Sequence, residues 1–517
     1  MIHIIISRKM EQFRLSVDLI NSITQWCTLD DVKNMRFIFK DHKFIVPHRV
    51  KIYNNNVFSI YTFNNVIIKT KNIDQITDSI ISLECNEIGS DVYDCDLLRL
   101  TNLQYFDCSY GYMVTNKALR SLTTLTYLNC GFNKNFNDTG LQYLTNLMYL
   151  NCGINRTFTD KSLRFLTNLT YLNTGENVNF TDRSLMYLVH LQTLICRNNK
   201  HITNTGLKHL SNLTYLELTY NDFDDYSNNV TDEVLPYLTQ LTTLHLTYSK
   251  ITDYGLQYLT NLTSLECITA HGVTDNGISK LSRLTKLKCL EQLTDQAIYN
   301  LQNLTSLICS YNANLTDNIL LALPNLVELL CINNTNFTDY GLRSLTKLSI
   351  LDCGKNDNFT DNGIRHLTNL TELYCNNNFT DYGLMHLRKL TTLVCIKNSI
   401  SYRSLQYLPL TTLYCGQSIT DEDLKHLSCL RNLYIRGNSN ITIMGLSYLS
   451  NLRGLSCYSI SASSEEIISY LPNLEYISIE AYRLFTKEDL KRLKRLKHVK
   501  NGHEKLTYKT IRHWHNY

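Results

Sequence analysis

The sequence predicts an α/β solenoid, with a parallel sheet along one side and short helices along the other. Near-identical segments follow one another directly: LTYLNCGFNKNFNDTGLQYLTN, LMYLNCGINRTFTDKSLRFLTN and LTYLNTGENVNFTDRSLMYLVH. Their first halves alternate apolar and polar residues, as a strand does, and their second halves place leucines three apart, as a short helix does. The first leucine recurs eighteen times, mostly 20 to 22 residues apart: Leu103, Leu125, Leu147, Leu169, Leu191, Leu213, Leu241, Leu262, Leu284, Leu304, Leu326, Leu348, Leu370, Leu390, Leu410, Leu430, Leu452 and Leu474.

Charge and hydropathy exclude several classes of function. Lys and Arg together number 50 against 46 Asp and Glu, and the formal net charge of +4 favours neither a nucleic-acid binder nor an acidic tail. No apolar run reaches the roughly 18 residues that cross a bilayer. The apolar stretch 1–6 is too short for a signal peptide, and translation could start at Met1 or at Met10. We therefore expect an intracellular, cytoplasmic protein.

The cysteines favour a reducing compartment. Leucine fills the same repeat position at Leu218 and Leu246, so cysteine acts there as a small apolar core residue. The total of 17 is odd, which argues against a disulfide framework. Fourteen of the 17 occupy this position: Cys85, Cys108, Cys130, Cys152, Cys196, Cys267, Cys289, Cys309, Cys331, Cys353, Cys375, Cys395, Cys415 and Cys457.

The repeat resembles the leucine-rich repeat. Leu147, Leu150, Cys152 and Asn155 spell L-x-x-L-x-C-x-x-N, with cysteine in the third apolar slot. The resemblance implies a sheet on the concave face, helices on the convex face and an asparagine ladder that hydrogen-bonds the turning backbone. We expect about 18 to 19 units over residues 80–496, with a basic C-terminal cap or tail at 497–517.

Residues 11–45 do not carry the repeat and are expected to form short helices. Several of their residues follow the order of the F-box pattern without a gap: Leu15, Asp18, Leu19, Ile20, Ile23, Leu29, Asp31, Val32, Met35, Arg36, Ile38 and Lys40. The segment therefore resembles an F-box. Ser16 stands where the F-box pattern has proline, and His42 where it has tryptophan. The chain as a whole resembles F-box/leucine-rich-repeat proteins of the type encoded by large AT-rich DNA viruses. Residues 46–79 are expected to be connecting strands or an N-terminal cap. The family implies that these F-box-like residues contact a Skp-type adaptor: Leu15, Leu19, Ile23, Val32 and Met35.

The residues that flank the core leucine of each strand are expected to face a target protein. Strand alternation turns them away from the core, and aromatic side chains are favoured anchors at protein interfaces. Few of them are basic, which disfavours nucleic acid on this face. The predicted target-binding residues are Tyr105, Tyr127, Tyr149, Asn151, Tyr171, Tyr215, Leu330, Ile350, Tyr374, Val394, Tyr414 and Tyr434.

Three other patterns have a structural interpretation that outweighs a functional one. The aspartates of the recurring T-D-x-G-L segment are interpreted as helix caps rather than metal ligands. A row of aromatic and histidine residues near the end of each helix, including His366 and His386, is expected to pack between helices rather than bind metal. A nine-residue insertion at 221–229 is interpreted as a solvated acidic loop.

The predicted function is protein–protein interaction without enzymatic activity. No nucleophile–base pair, glycine-rich phosphate loop or ligand cluster stands apart from the repeat, so we predict no catalysis, cofactor or metal. The F-box resemblance implies the substrate-recognition subunit of an SCF-type (cullin–RING) ubiquitin ligase, with a Skp-type adaptor and the cullin complex as partners. The alternatives are a leucine-rich-repeat scaffold without a link to a ligase, and a nucleic-acid partner of the basic C-terminus.

Overall fold

Alternating strands and short helices build two structural units, an N-terminal unit of residues 1–220 and a C-terminal unit of residues 221–517. The computed structural model describes strands at 49–53, 59–63 and 66–70 and then residues 81–506, apart from short gaps. These gaps are 86–91, 99, 220–228, 269, 271, 290–292, 376–378, 396–399, 436–439, 459, 461, 480–484, 494, 497 and 502–503. The F-box-like segment and the acidic insertion, except for Asn229, therefore lie outside the described residues.

The N-terminal unit contains a parallel sheet in which each repeat adds one strand. Neighbouring strands pair in register, so that Leu128 lies beside Leu150 and Leu150 beside Leu172. The parallel strands are Ser82–Glu84, Tyr105–Asp107, Tyr127–Asn129, Tyr149–Asn151, Tyr171–Gly175, Thr193–Cys196 and Tyr215–Leu218. The helices between them are Asp94–Leu97, Asn116–Leu119, Asp138–Leu141, Asp160–Leu163, Asp182–Leu185 and Asn204–Leu207.

Three further strands precede the first repeat strand. Arg49–Tyr53 pairs in parallel with Ser82–Glu84, so it extends the repeat sheet by one strand. Ser59–Phe63 pairs antiparallel with Arg49–Tyr53, and Val66–Thr70 pairs antiparallel with Ser59–Phe63. These strands lie within the segment expected to connect the N-terminus to the array.

The C-terminal unit repeats the same pattern. Its parallel strands are Thr243–Thr247, Ser264–Ile268, Lys286–Cys289, Ser306–Ile308, Glu328–Leu330, Ile350–Asp352, Glu372–Cys375, Thr392–Cys395, Thr412–Cys415, Asn432–Ile435, Gly454–Cys457, Tyr476–Ile479 and His498–Asn501. Its helices are the 3-10 helix Asp232–Tyr237 and Asp253–Leu256, Asp275–Ile278, Asp295–Ile298, Asp317–Ala322, Asp339–Leu342, Asp361–Ile364, Asp381–Leu384, Tyr402–Leu405, Asp421–Leu424, Ile443–Ser447, Ser464–Tyr470 and Lys487–Arg492. A last strand, Glu504–Leu506, turns back antiparallel on His498–Asn501.

This architecture confirms the predicted leucine-rich-repeat solenoid. In each unit a parallel sheet and a set of short helices alternate along the chain, one pair to a repeat. The strands are short because only the middle residues of each repeat's first half alternate. No helix in the part of the chain that the structure describes has the length and apolar character needed to cross a bilayer.

Leucines and cysteines fill the core. Leu150 and Cys152 are fully buried, and burial raises the pKa of the Cys152 thiol to about 12, so this thiol stays protonated at neutral pH. All fourteen cysteines of the repeat position are buried free thiols, as predicted, whereas Cys95 and Cys429 are exposed. Cysteine therefore acts in this array as a small hydrophobic residue.

The asparagine ladder is structural, also as predicted. Asn155 and Asn177 are fully buried, and the Nδ2 of Asn177 donates a hydrogen bond of 2.6 Å to the backbone oxygen of Asn155. The Oδ1 of Asn155 accepts from the backbone N–H of Thr157 at 3.0 Å. Asn155 and Asn177 thus satisfy turning backbone in their own repeats and in the preceding ones, which would otherwise bury unpaired polar groups. Asn378 and Asn438 lie outside the described residues.

Candidate sheet-face interface

The candidate site is the face of each sheet that is turned away from the core, which we call the open sheet face. It consists of the residues directly before and after the buried leucine of each strand. In the strand Tyr149–Asn151 the middle residue is fully buried, whereas Tyr149 and Asn151 are half-buried. The same alternation holds along both units, so two rows of side chains run across the strands.

Tyrosines form a continuous stack on the open sheet face of the N-terminal unit. The ring centroids of Tyr105 and Tyr127, of Tyr127 and Tyr149, and of Tyr149 and Tyr171 are each 4.0 Å apart, with interplanar angles between 10° and 14°. Burial raises the pKa of Tyr127 far above its usual value of 10.0, and the neighbouring phenols raise it further. Because both ring faces of Tyr127 and Tyr149 are covered, a partner would meet ring edges and hydroxyl groups.

An asparagine row lies beside the tyrosine stack. The Oδ1 of Asn151 accepts from the backbone N–H of Gly153 at 3.1 Å, and the Oδ1 of Asn173 accepts from Gly175 at 2.8 Å. These bonds hold the chain as it leaves each strand. One of the two lone pairs on the amide oxygen of Asn151, a predicted target-binding residue, is therefore committed to the fold, and its second lone pair and its amino group can still bond a partner.

Gly175 ends this row with a local irregularity. The pairing between its strand and Thr193–Cys196 shifts register after Asn173, and Gly175 has a positive φ of 52°. A Cβ on Gly175 would lie 2.6 Å from the Cα of Gly153 and 2.9 Å from the backbone nitrogen of Ile154. Only glycine fits here without moving the neighbouring strand.

The predicted target-binding residues of the C-terminal unit also lie on an open sheet face. Leu330 and Tyr374 fall in the row after the core leucine, in register with each other through Asp352, whereas Ile350 falls in the other row. The rings of Tyr414 and Tyr434 stack with centroids 3.8 Å apart and an interplanar angle of 4°. All six predicted residues of this unit are half-buried: Leu330, Ile350, Tyr374, Val394, Tyr414 and Tyr434.

Tyr215 lies apart from the tyrosine stack of the N-terminal unit. Thr193 occupies its position on the strand before it, so the stack ends at Tyr171. The Tyr215 hydroxyl donates to Glu217 at 3.1 Å, and Glu217 also accepts from Arg197 at 2.5 Å. Tyr215 is therefore part of a small polar cluster.

The aspartate row has a role that the sequence did not reveal. In the helix Asp182–Leu185 the cap is Thr181, whose hydroxyl accepts from the backbone N–H of Arg183 at 3.3 Å. The Asp182 carboxylate instead reaches the next repeat, where it accepts from both the backbone N–H and the hydroxyl of Thr203, each at 2.7 Å. This aspartate–threonine clamp recurs along the array, and each clamp joins two neighbouring repeats.

The aromatic and histidine row at the helices differs from its prediction. Tyr143 and Tyr237 are 44% and 56% exposed, so these side chains lie on the surface rather than pack between helices. The guanidinium of Arg120 lies over the Tyr143 ring, 5.9 Å from its centroid, and both side chains are exposed. His366 accepts a 3.3 Å hydrogen bond from Arg365. Within the described residues no three His, Cys, Asp or Glu side chains converge to hold a metal ion.

The C-terminal segment belongs to the array up to its last strand. Leu490, Leu493, Leu496 and Val499 are buried, and the strand His498–Asn501 pairs in parallel with Tyr476–Ile479. The array thus extends beyond residue 496. Arg492 of the last helix forms an ion pair with Glu465 of the preceding one.

Comparisons with known proteins give a structural likeness only. No protein-family model matches the chain, and no curated protein matches it. Among solved structures, an internalin (inlF) from Listeria monocytogenes is 24% identical, with 63% of this chain and 89% of that chain covered and a TM-score of 0.40. The TLR13–ssRNA13 complex is 18% identical, with coverages of 89% and 75% and a TM-score of 0.49. The yeast Rad7–Elc1 complex is 21% identical, with coverages of 52% and 81% and a TM-score of 0.38. At such identities the likeness concerns the fold alone.

Proposed function

We propose that the open sheet faces bind protein partners. The observation that carries this proposal is the accumulation of half-buried tyrosine and aliphatic side chains in positions that the core does not need. The stack Tyr105–Tyr127–Tyr149–Tyr171 and the pair Tyr414–Tyr434 are rigid, because each ring is held by its neighbours. Rigid aromatic side chains lose little conformational entropy on binding and are favoured interface anchors.

We further propose that the protein is the substrate-recognition subunit of an SCF-type ubiquitin ligase. Support for this step comes from the F-box resemblance of residues 11–45, which precede a leucine-rich-repeat array as in that family. In this scheme Leu15, Leu19, Ile23, Val32 and Met35 contact a Skp-type adaptor, and the open sheet faces hold the target protein. The protein then works in the cytoplasm, which agrees with its buried cysteine thiols.

Co-purification of the adaptor tests the ligase assignment. The full-length chain and the double variant Leu19→Glu/Ile23→Glu are expressed with a Skp-type adaptor, and a chain lacking residues 1–45 serves as a second comparison. Asn21→Glu/Ser22→Glu is the matched control, since it adds the same two charges at polar positions of the same segment. We expect the full-length chain and the control to retain the adaptor and the other two to lose it. Failure of the full-length chain to retain the adaptor would leave a recognition or scaffold protein without a link to a ligase.

Substitutions on the open sheet face test the recognition proposal separately. Tyr414→Ser/Tyr434→Ser removes a stacked pair from the face, and Tyr237→Ser removes an exposed tyrosine from the helix side. Proximity labelling in cells compares the proteins found beside each variant. We expect the sheet-face variant to lose specific neighbours that the helix-side variant keeps. Identical sets of neighbours for both variants would refute a recognition role for this face.

A further inference from the structure

The open sheet face of the C-terminal unit carries a strip with one apolar side chain on each successive strand, which we call the apolar strip. It spans seven strands, from Ser306–Ile308 to Asn432–Ile435, and therefore about 29 Å at the usual strand spacing. Its side chains are half-buried, so each still presents part of its surface to solvent. The strip consists of Ile308, Leu330, Ile350, Tyr374, Val394, Tyr414 and Tyr434.

Three carboxylates lie within this strip. Glu328 and Glu372 flank Ile350 in one row, and Asp352 lies between Leu330 and Tyr374 in the other. Their hydrogen-bond donors are neutral groups: Ser306 for Glu328, the Tyr374 hydroxyl for Glu372 at 2.8 Å, and the backbone N–H of Gly354 for Asp352 at 3.3 Å. Among the described residues no cationic side chain forms an ion pair with any of the three.

Two other carboxylates on the open sheet faces are neutralised. Glu217 is paired with Arg197 at 2.5 Å, and Glu266 is paired with Lys288 on the next strand at 2.7 Å. A basic residue on an adjacent strand is therefore enough to neutralise a carboxylate on this face. The three carboxylates of the strip have no such basic neighbour among the described residues. Their mutual repulsion and their partial desolvation both destabilise the protein when no partner is bound.

Burial also acts on the central carboxylate. It raises the pKa of Asp352 above its usual value, because the ionised form has lost part of its water. An approaching cation would compensate this loss, whereas a phosphate group would be repelled. The charge of the strip therefore favours a basic protein segment over a nucleic acid.

We propose that the apolar strip binds a segment of a partner protein in which at least two arginine or lysine side chains about 10 Å apart are separated by apolar residues. The spacing follows from the register, because Glu328 and Glu372 lie two strands apart, which is roughly 10 Å. In a polyproline II segment, which has three residues per turn, residues three apart lie on the same face at about this distance. The inference rests on the proposed recognition function and specifies the chemistry of the partner.

Peptide binding to the full-length protein tests this proposal. The probe is a fluorescein-labelled 12-residue peptide of four Arg-Leu-Ser units, which in the polyproline II conformation places an arginine on the same face about every 9 Å. The comparison peptides replace arginine by glutamine or by glutamate. Fluorescence anisotropy gives the dissociation constants at about 0.05 M and about 0.5 M sodium chloride, since ion pairs are screened by salt.

Two variants of the protein locate the binding. Glu328→Gln/Glu372→Gln removes two charges of the strip, and Glu266→Gln removes a charge that Lys288 already neutralises. We expect the double variant to bind the arginine peptide roughly tenfold more weakly, as removal of two partly exposed ion pairs implies, and the control variant to change affinity less than about twofold. Circular dichroism verifies that each variant keeps its fold.

The outcomes separate this inference from the function on which it rests. Binding of the arginine peptide that is tighter than that of the glutamine peptide, salt-sensitive and weakened only in the double variant supports the inference. Equal binding of arginine and glutamine peptides, or equal effects of the two variants, overturns it. Neither of these overturning results affects the recognition proposal, which fails if Tyr414→Ser/Tyr434→Ser and Tyr237→Ser have identical sets of cellular neighbours.

Discussion

Replacement of Gly175 by alanine gives the most direct test of how the array is built. Two costs add at this position. An alanine with φ near 52° is strained by about 1 kcal/mol, and its Cβ would lie 2.6 Å from the Cα of Gly153, about 1 Å inside normal contact. Since the obstructing atoms are backbone, the neighbouring strand has to move, at a typical cost of about 1–3 kcal/mol. We expect a total destabilisation of about 3 kcal/mol.

Gly153→Ala is the matched control one repeat earlier. A Cβ at Gly153 would lie 3.4 Å from the Oδ1 of Asn151 and 3.7 Å from the Cα of Gly175, which requires little or no movement. Its φ lies outside the left-handed region, so the change should shift stability by less than about 1 kcal/mol in either direction. Both variants differ from the wild type by one methyl group on the same sheet face.

Urea unfolding and hydrogen exchange measure the difference. Each repeat of such an array contacts only its neighbouring repeats, so the loss of stability should concentrate near the substitution. In Gly175→Ala we expect faster amide exchange in peptides covering 147–199, while peptides covering 326–375 exchange as in the wild type. If Gly175→Ala is no less stable than Gly153→Ala, the close backbone packing at Gly175 does not contribute to stability as we infer.

Three further predictions concern the ladders. In a double-mutant cycle, Asp182→Ala and Thr203→Ala should show a coupling energy of about 1–2 kcal/mol, because the carboxylate accepts two hydrogen bonds from that threonine; a coupling near zero in urea unfolding would dismiss the clamp. Among the described cysteines, only Cys95 and Cys429 should react with a thiol reagent in the native state, as mapped by mass spectrometry, because the others are buried thiols; modification of buried cysteines without unfolding would contradict this. Burial and, secondarily, the Glu372 carboxylate raise the pKa of Tyr374 from 10.0 to about 12. The stability due to its neutral phenol is therefore intact below pH 10 and declines as the pH rises towards 12. Glu372→Gln should lower this pKa in an ultraviolet titration, and an unchanged titration would refute the contribution of the carboxylate.

Local sequence patterns were enough to predict the fold. Strand alternation around Leu150 and the leucine spacing at Leu163 and Leu166 are properties of short segments, and the repetition of the segment shows that each unit completes its core against its neighbours. The same logic assigned the cysteines to the core, whereas the resemblance to leucine-rich repeats assigned the asparagines to the ladder, and the structure confirms both assignments.

Contacts between repeats could not be predicted in the same way. The sequence places Asp182 at the start of a helix, where an aspartate is favourable in any case, and nothing local indicates that its carboxylate reaches Thr203 in the next repeat. The aromatic and histidine row at the helices was interpreted as packed because tyrosine and phenylalanine replace histidine freely at this position. The exposure of Tyr237 depends on how far apart neighbouring helices lie, which no single repeat specifies.

The sequence by itself determined the period, the core positions and the two rows of residues on the open sheet face, because these follow from alternation within one strand. The tertiary structure decided what those rows present to a partner. Only in-register stacking shows that the ring faces of Tyr127 and Tyr149 are covered and that the Asn151 oxygen accepts a hydrogen bond from its own chain. It also shows that Glu328 and Glu372 lie two strands apart, with no ion pair to a basic side chain among the described residues. These properties depend on distances between residues about twenty positions apart in the chain, and such distances exist only once the repeats have stacked.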